Sequence, residues 1–133
     1  VVKERVNRYM DESRGKLDAA RKNLELGFVD TAAHESYYAA ENAARALILA
    51  LEGNIPKGKT LIWRKIRDLK DKGIVTNYIP EEISTCYAYR RRADYVEIDE
   101  QVEITEDNIM NSIEISSRFV SDVEGILKDK GML

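Results

Sequence analysis

Apolar residues recur at three- and four-residue intervals along almost the whole chain, and only two prolines interrupt the pattern. That period belongs to helices, and no stretch alternates as a half-buried strand would. The first helix carries Val6, Met10, Leu17, Ala20 and Leu24 and stops at Gly27, because glycine takes the left-handed conformation that ends a helix. A second, over about 31–52, opens on Asp30 or Thr31 as a side-chain cap. One of its rows reads Ala33, Tyr37, Ala40, Ala44, Leu47, Leu51, and the adjacent one reads Ser36, Ala39, Ala43, Ala46, Ala50. A large-residue stripe beside a small-residue stripe lets neighbours approach closely from two sides, so this is expected to be the inner helix of a bundle. A third row, His34, Tyr38, Glu41 and Arg45, is polar and faces either solvent or a shared cleft.

Gly53, Asn54 and Pro56 end the inner helix. Thr60 is a suitable cap for a third helix bearing Ile62, Ile66 and Leu69, closed by Gly73. Pro80-Glu81-Glu82 opens a fourth, over about 80–97, since proline suits the first helical position and carboxylates suit the positive end of the helix dipole. Thr105 caps the last helix, with Ile104 and Ile109 placed for a hydrophobic staple. Ile113, Phe119, Val120, Val123, Ile126 and Leu127 give it a broad apolar face. The expected fold is all-α, an antiparallel up-and-down bundle of four to five helices, with residues 1–133 forming a single domain.

Composition agrees with a small soluble protein of one domain: 133 residues, 44% apolar and 34% charged. One cysteine, Cys86, excludes an internal disulfide and fits a reducing, cytoplasmic setting. No apolar run approaches the roughly 20 residues that span a bilayer, and no signal peptide stands out, so no membrane role is expected. The chain opens on valine, as a trimmed or longer natural start would leave it. Net charge is only -3, but the signs are segregated. Lys57, Lys59, Arg64, Lys65, Arg67, Lys70 and Lys72 crowd the third helix and the loop before it, whereas every charge from Asp94 to Asp107 is acidic. A basic surface of this kind either attracts phosphate or is simply a solvated face.

The chemistry concentrates in Arg90-Arg91-Arg92-Ala93-Asp94-Tyr95. On a helix Arg90 and Asp94 are four apart and meet, and Arg91 shares a neighbouring row with Tyr95. Successive residues point about 100° apart, so the three arginines cannot all face inward. Two readings stay open for the pair Arg90–Asp94: a ligand-facing site, or an ion pair that fixes the fourth helix on the inner one. His34, the only histidine, is expected at a helix surface or core edge. Cys86 shares an apolar row with Ile83 and is a packing residue. Lys57-Gly58-Lys59-Thr60 lacks the first glycine and the strand of a phosphate loop. No cysteine or histidine cluster has metal-ligand spacing, and no cofactor is expected.

Two segments together resemble one family. Tyr37-Tyr38-Ala39-Ala40-Glu41-Asn42-Ala43-Ala44-Arg45-Ala46-Leu47 is similar to the inner helix of HEPN domains (higher eukaryotes and prokaryotes nucleotide-binding). Arg90-Arg91-Arg92-Ala93-Asp94-Tyr95 resembles the Arg-x-x-Ala-Asp-Tyr signature of their fourth helix, and the likeness extends from about Leu17 to Leu127. The resemblance implies a helical bundle that dimerises, often beside a small nucleotidyltransferase in toxin–antitoxin pairs. It implies a nucleotide- or RNA-phosphate-binding cleft lined by Arg90, Arg91 and Asp94. Tyr95 would position the ligand there or be modified by the partner. Ribonuclease members place a histidine after an arginine with four to six residues between them, and here that window after Arg90 holds Tyr95, Val96 and Glu97. Tyrosine, with a reference pKa of about 10, is a poor general base near neutrality. The expectation is therefore a homodimeric phosphate-binding partner of a nucleotidyltransferase. A non-catalytic interaction module is the alternative, followed by a metal-independent ribonuclease in which Tyr95 or His34 replaces the usual histidine.

Overall fold

The computed structural model describes residues 1–94 and 103–133. Among them the chain forms five helices, α1 (Val2–Glu25), α2 (Val29–Glu52), α3 (Lys59–Asp71), α4 (Pro80–Asp94) and α5 (Glu106–Asp129), and no strand. The expected bundle is the one observed. α2 is its hub and packs against each of the other four helices. Most of its buried positions between Ala32 and Ala46 are alanines, with Ser36 among them. Small side chains on two faces are what allow α1 and α5 to close on it from different sides.

That close approach brings backbone carbonyls within reach of buried hydroxyls. Ser13 of α1 donates to the Ala39 carbonyl at 2.6 Å. Ser36 and Ser112 bond to each other at 2.8 Å, and Ser116 of α5 donates to the Ser36 carbonyl. All four serines are fully buried and satisfied, so the seam joins α1, α2 and α5 without an orphaned hydroxyl. Cys86 packs into the same layer with its thiol 3.7 Å from the Ser112 carbonyl. Around this seam Val6, Met10, Leu47, Ile66, Phe119 and Leu127 complete the core.

Helix boundaries depart from expectation at two N-termini. α2 begins at Val29, capped by Phe28 without a side-chain bond, because the Ala32 amide already bonds the Phe28 carbonyl at 3.0 Å. Asp30 therefore sits within the first turn, where its carboxylate faces the positive end of the helix dipole. α3 begins at Lys59 after Gly58, whose φ of 87° only glycine adopts readily, so Thr60 is helical rather than capping. Thr105 does cap α5, accepting from the Asn108 amide at 3.1 Å. α4 is described to Asp94, and the expected continuation through Tyr95 to residue 97 lies outside the described residues. The segment between α3 and α4 is strapped to α5 by Asp122, which accepts from the Thr76 amide and hydroxyl and from the Asn77 amide at 3.0–3.2 Å. No helix among the described residues is long and apolar enough to cross a membrane.

Candidate phosphate site between α2 and α4

α4 buries only Ile83 and Cys86 completely, so its hold on α2 depends on what its polar face does. Tyr87, Arg90, Arg91 and Asp94 share that face by their three- and four-residue spacing. Opposite them on α2 stand His34 and Tyr38, one turn apart, with ring centroids 4.6 Å from each other.

Arg90 spans the gap. Its Nη2 donates to the Tyr38 hydroxyl at 2.8 Å, and its Nε lies 3.1 Å from Asp94 Oδ2. The guanidinium is also sandwiched, 5.2 Å from the Tyr38 ring centroid and 5.7 Å from that of Tyr87. With 16% of its side chain exposed, this arginine is a connector between helices as much as a surface cation. Burial pulls its pKa down, but the Tyr38 hydroxyl and the Asp94 carboxylate outweigh burial and hold it above the ordinary arginine value. Asp94 joins the helices a second time: both of its oxygens lie 3.2 Å from His34 Nδ1. His34 is therefore not an isolated helix-surface residue. It forms one wall of the arginine cluster, with Nδ1 directed to a carboxylate.

The three arginines separate as helical geometry requires. Arg90 turns inward, and Arg92 is half-buried. Arg91 is half-buried as well, its guanidinium 5.8 Å from the Tyr87 ring centroid, and Lys59 of α3 places its ammonium 4.8 Å from the same centroid. Neither Arg91 nor Lys59 forms an ion pair with a carboxylate among the described residues. Tyr87 is surrounded by cations, and its hydroxyl is held below the ordinary tyrosine range, first by hydrogen bonding to Lys59 and then by the charges of Lys59, Arg91 and Arg90, against an opposing effect of burial. Tyr95, the remaining residue of the expected set, lies outside the described residues.

Beside Tyr87 opens a cleft of about 210 Å³ walled by Tyr37, Lys59, Trp63, Tyr78, Ile83 and Tyr87. Its shape is fixed from below. Trp63 Nε1 donates to the Tyr37 hydroxyl at 3.0 Å, that hydroxyl donates to Glu41 Oε1 at 3.0 Å, and Glu41 pairs with Arg45 at 3.1 Å. Glu41 is 3% exposed, so the polar row read from the sequence faces the interior at this point and forms a relay rather than a solvated edge. Trp63 stacks on Tyr78 with planes 8° apart and centroids 5.8 Å apart. Lys59, Trp63 and Tyr87 were not among the expected site residues. Tyr87 could have been found from its spacing of three and four to Arg90 and Arg91, but Lys59 and Trp63 come from another helix.

The fold agrees with what similarity reveals. The family model for the HEPN domain matches residues 6–126. The crystal structure of TT1696 from Thermus thermophilus superposes with a TM-score of 0.72 at 21% identity, covering 92% of this chain and 98% of that one. An archaeal HEPN homologue, ST0689, superposes with a TM-score of 0.60 at 19% identity, covering 90% and 95%. No curated protein matches significantly. The chain belongs to the HEPN domain family.

Proposed function

We propose that this domain binds a phosphate-bearing ligand, a nucleotide or single-stranded RNA, on the face between α2 and α4. The observation that carries this is the pair of unneutralised cations, Arg91 and Lys59, flanking one aromatic ring at the mouth of an aromatic cleft. Phosphate is drawn by such cations, and a base stacks on tyrosine or tryptophan whatever its identity. Arg90 and Asp94 hold the face together, and Arg91 makes the contact. The family likeness supports two further parts of the reading. One is a homodimer in which two arginine sets meet one polyanion. The other is a nucleotidyltransferase partner that acts on or beside Tyr95.

The test is anisotropy of a short labelled RNA without metal, comparing wild type with Lys59→Ala/Arg91→Ala. We expect at least about tenfold weaker binding for the variant and a salt dependence shallower by about two phosphate contacts. Equal affinity of the two proteins would remove the reading and leave a helical interaction module.

One contact favours a second reading. Where Nδ1–H donates to Asp94, which Arg90 also pairs, Nε2 is left to accept a proton, as a general base for attack by a ribose 2′-hydroxyl requires. On this reading α2 supplies the histidine missing after Arg90. It predicts metal-independent cleavage leaving 2′,3′-cyclic phosphate, abolished in His34→Ala with RNA binding retained. No cleavage by wild type disposes of it.

A further inference from the structure

A second cleft, of about 300 Å³, lies where the start of α1 crosses α2, and nothing derived so far uses it. Arg5, Arg8, Tyr9 and Glu12 line it from α1 and Asn42 from α2. Three observations distinguish it from an ordinary groove. Asn42 is 7% exposed, and its amide, which bonds no described protein group, is not fully buried, so it meets solvent through the cleft it lines. Arg5 and Arg8, three residues apart and so on one helix face, form no ion pair among the described residues, although Arg14 and Arg21 further along the same helix each do. Glu12 lies four residues beyond Arg8 without pairing to it, and its one ion-pair contact among the described residues is to Lys16 at 3.9 Å.

We infer that this cleft is a phosphate-ester site. Arg5 and Arg8 hold the phosphate through charge-assisted bonds. Asn42 supplies what the floor of such a site needs, two N–H donors and one carbonyl acceptor in a fixed plane. Glu12 decides what else the ligand carries. A carboxylate beside two guanidiniums disfavours a bare polyanion, whereas it accepts readily from a hydroxyl. The ligand is therefore a phosphorylated sugar with hydroxyls close to its phosphate, and Tyr9 forms the wall beside it. Free ribose phosphates and the 5′-phosphorylated end of an RNA both offer that chemistry. The site does not depend on the α2–α4 reading, since it shares no residue with it.

The experiment follows the Asn42 side-chain amide in ¹H–¹⁵N spectra of the intact protein during titration with ribose 5-phosphate. Calorimetry is run on wild type, Arg5→Gln/Arg8→Gln, Glu12→Gln and Arg91→Ala. The Asn42 amide is expected to shift saturably. Affinity should fall at least about tenfold in the double arginine variant, fall several-fold in Glu12→Gln, and stay unchanged in Arg91→Ala. Neither arginine is buried, so the double variant keeps the fold. A short RNA with a 5′-phosphate that shifts the same amide at lower concentration than ribose 5-phosphate assigns the site to RNA ends, and the opposite order assigns it to free sugar phosphates. An unmoved Asn42 amide, undiminished affinity in the double arginine variant, or tighter binding by Glu12→Gln overturns the inference.

Discussion

Several of the most informative residues are buried groups that can ionise. Burial pushes the Cys86 thiol up to about 11, from an ordinary value of 9.0, and pushes the Tyr37 hydroxyl far above the tyrosine range. A group whose pKa is raised in the folded state contributes stability that is complete below its unfolded pKa and is lost as pH rises through the folded one. Unfolding midpoints should therefore hold up to about pH 9 and fall steadily above it, measured by circular dichroism across an alkaline series. Cys86→Ala, although it leaves a small cavity, should flatten the first part of that fall and leave the tyrosine part. The same burial makes the thiol inert, so a thiol reagent at neutral pH should label Cys86 only on unfolding.

The helices differ in what fixes them. α2 is held by shape, and its row of alanines is legible in the sequence because nothing but close packing explains so many small residues on two faces. Ala43 is fully buried, and Ala43→Leu should cost about 1–3 kcal/mol by overpacking, read from urea unfolding, with far-ultraviolet dichroism unchanged. Caps were harder to read. Asp30, Thr31 and Thr60 all have side chains suited to capping, but the first backbone bonds run to Phe28 and Gly58, so these side chains fall inside the helices. Which of several suitable residues becomes a cap depends on where the preceding loop delivers the chain, and that is set by tertiary packing. The Arg90–Asp94 pair was readable from spacing alone. The His34–Asp94 contact, across 60 residues, was not, because it depends on how α2 and α4 cross.

For the molecule as a whole, the helices are joined into one body by a shared core and by straps outside it. Asp122 is the clearest strap, tying the segment after α3 to α5 through three bonds to one carboxylate. Asp122→Ala should destabilise by about 2 kcal/mol, in the range of bonds to charged groups. It should also speed amide hydrogen exchange at Thr76 and Asn77 before it affects α2. Charge is organised at this scale too. The basic run anticipated around α3 divides on folding: Lys65 pairs with Glu52, Lys70 donates to the Tyr78 carbonyl, and Lys59 alone of the three turns to the arginine face. A count of lysines along the sequence could not have made that division.

The double role of Arg90 has a consequence for how ligands and helix order interact. α4 buries only Ile83 and Cys86 completely, and beside the packing of Tyr87 on Tyr37 its last described turn is fastened to α2 by Arg90 and Asp94. Any ligand that recruits these two groups for itself must release the clasp, and so trades binding energy against the docking of α4. A ligand that stays with Arg91 and Lys59 leaves the clasp closed and should make α4 harder to melt. The two modes of engagement thus have opposite thermal signatures, and the direction in which the melting of α4 shifts would tell them apart without a structure of the complex.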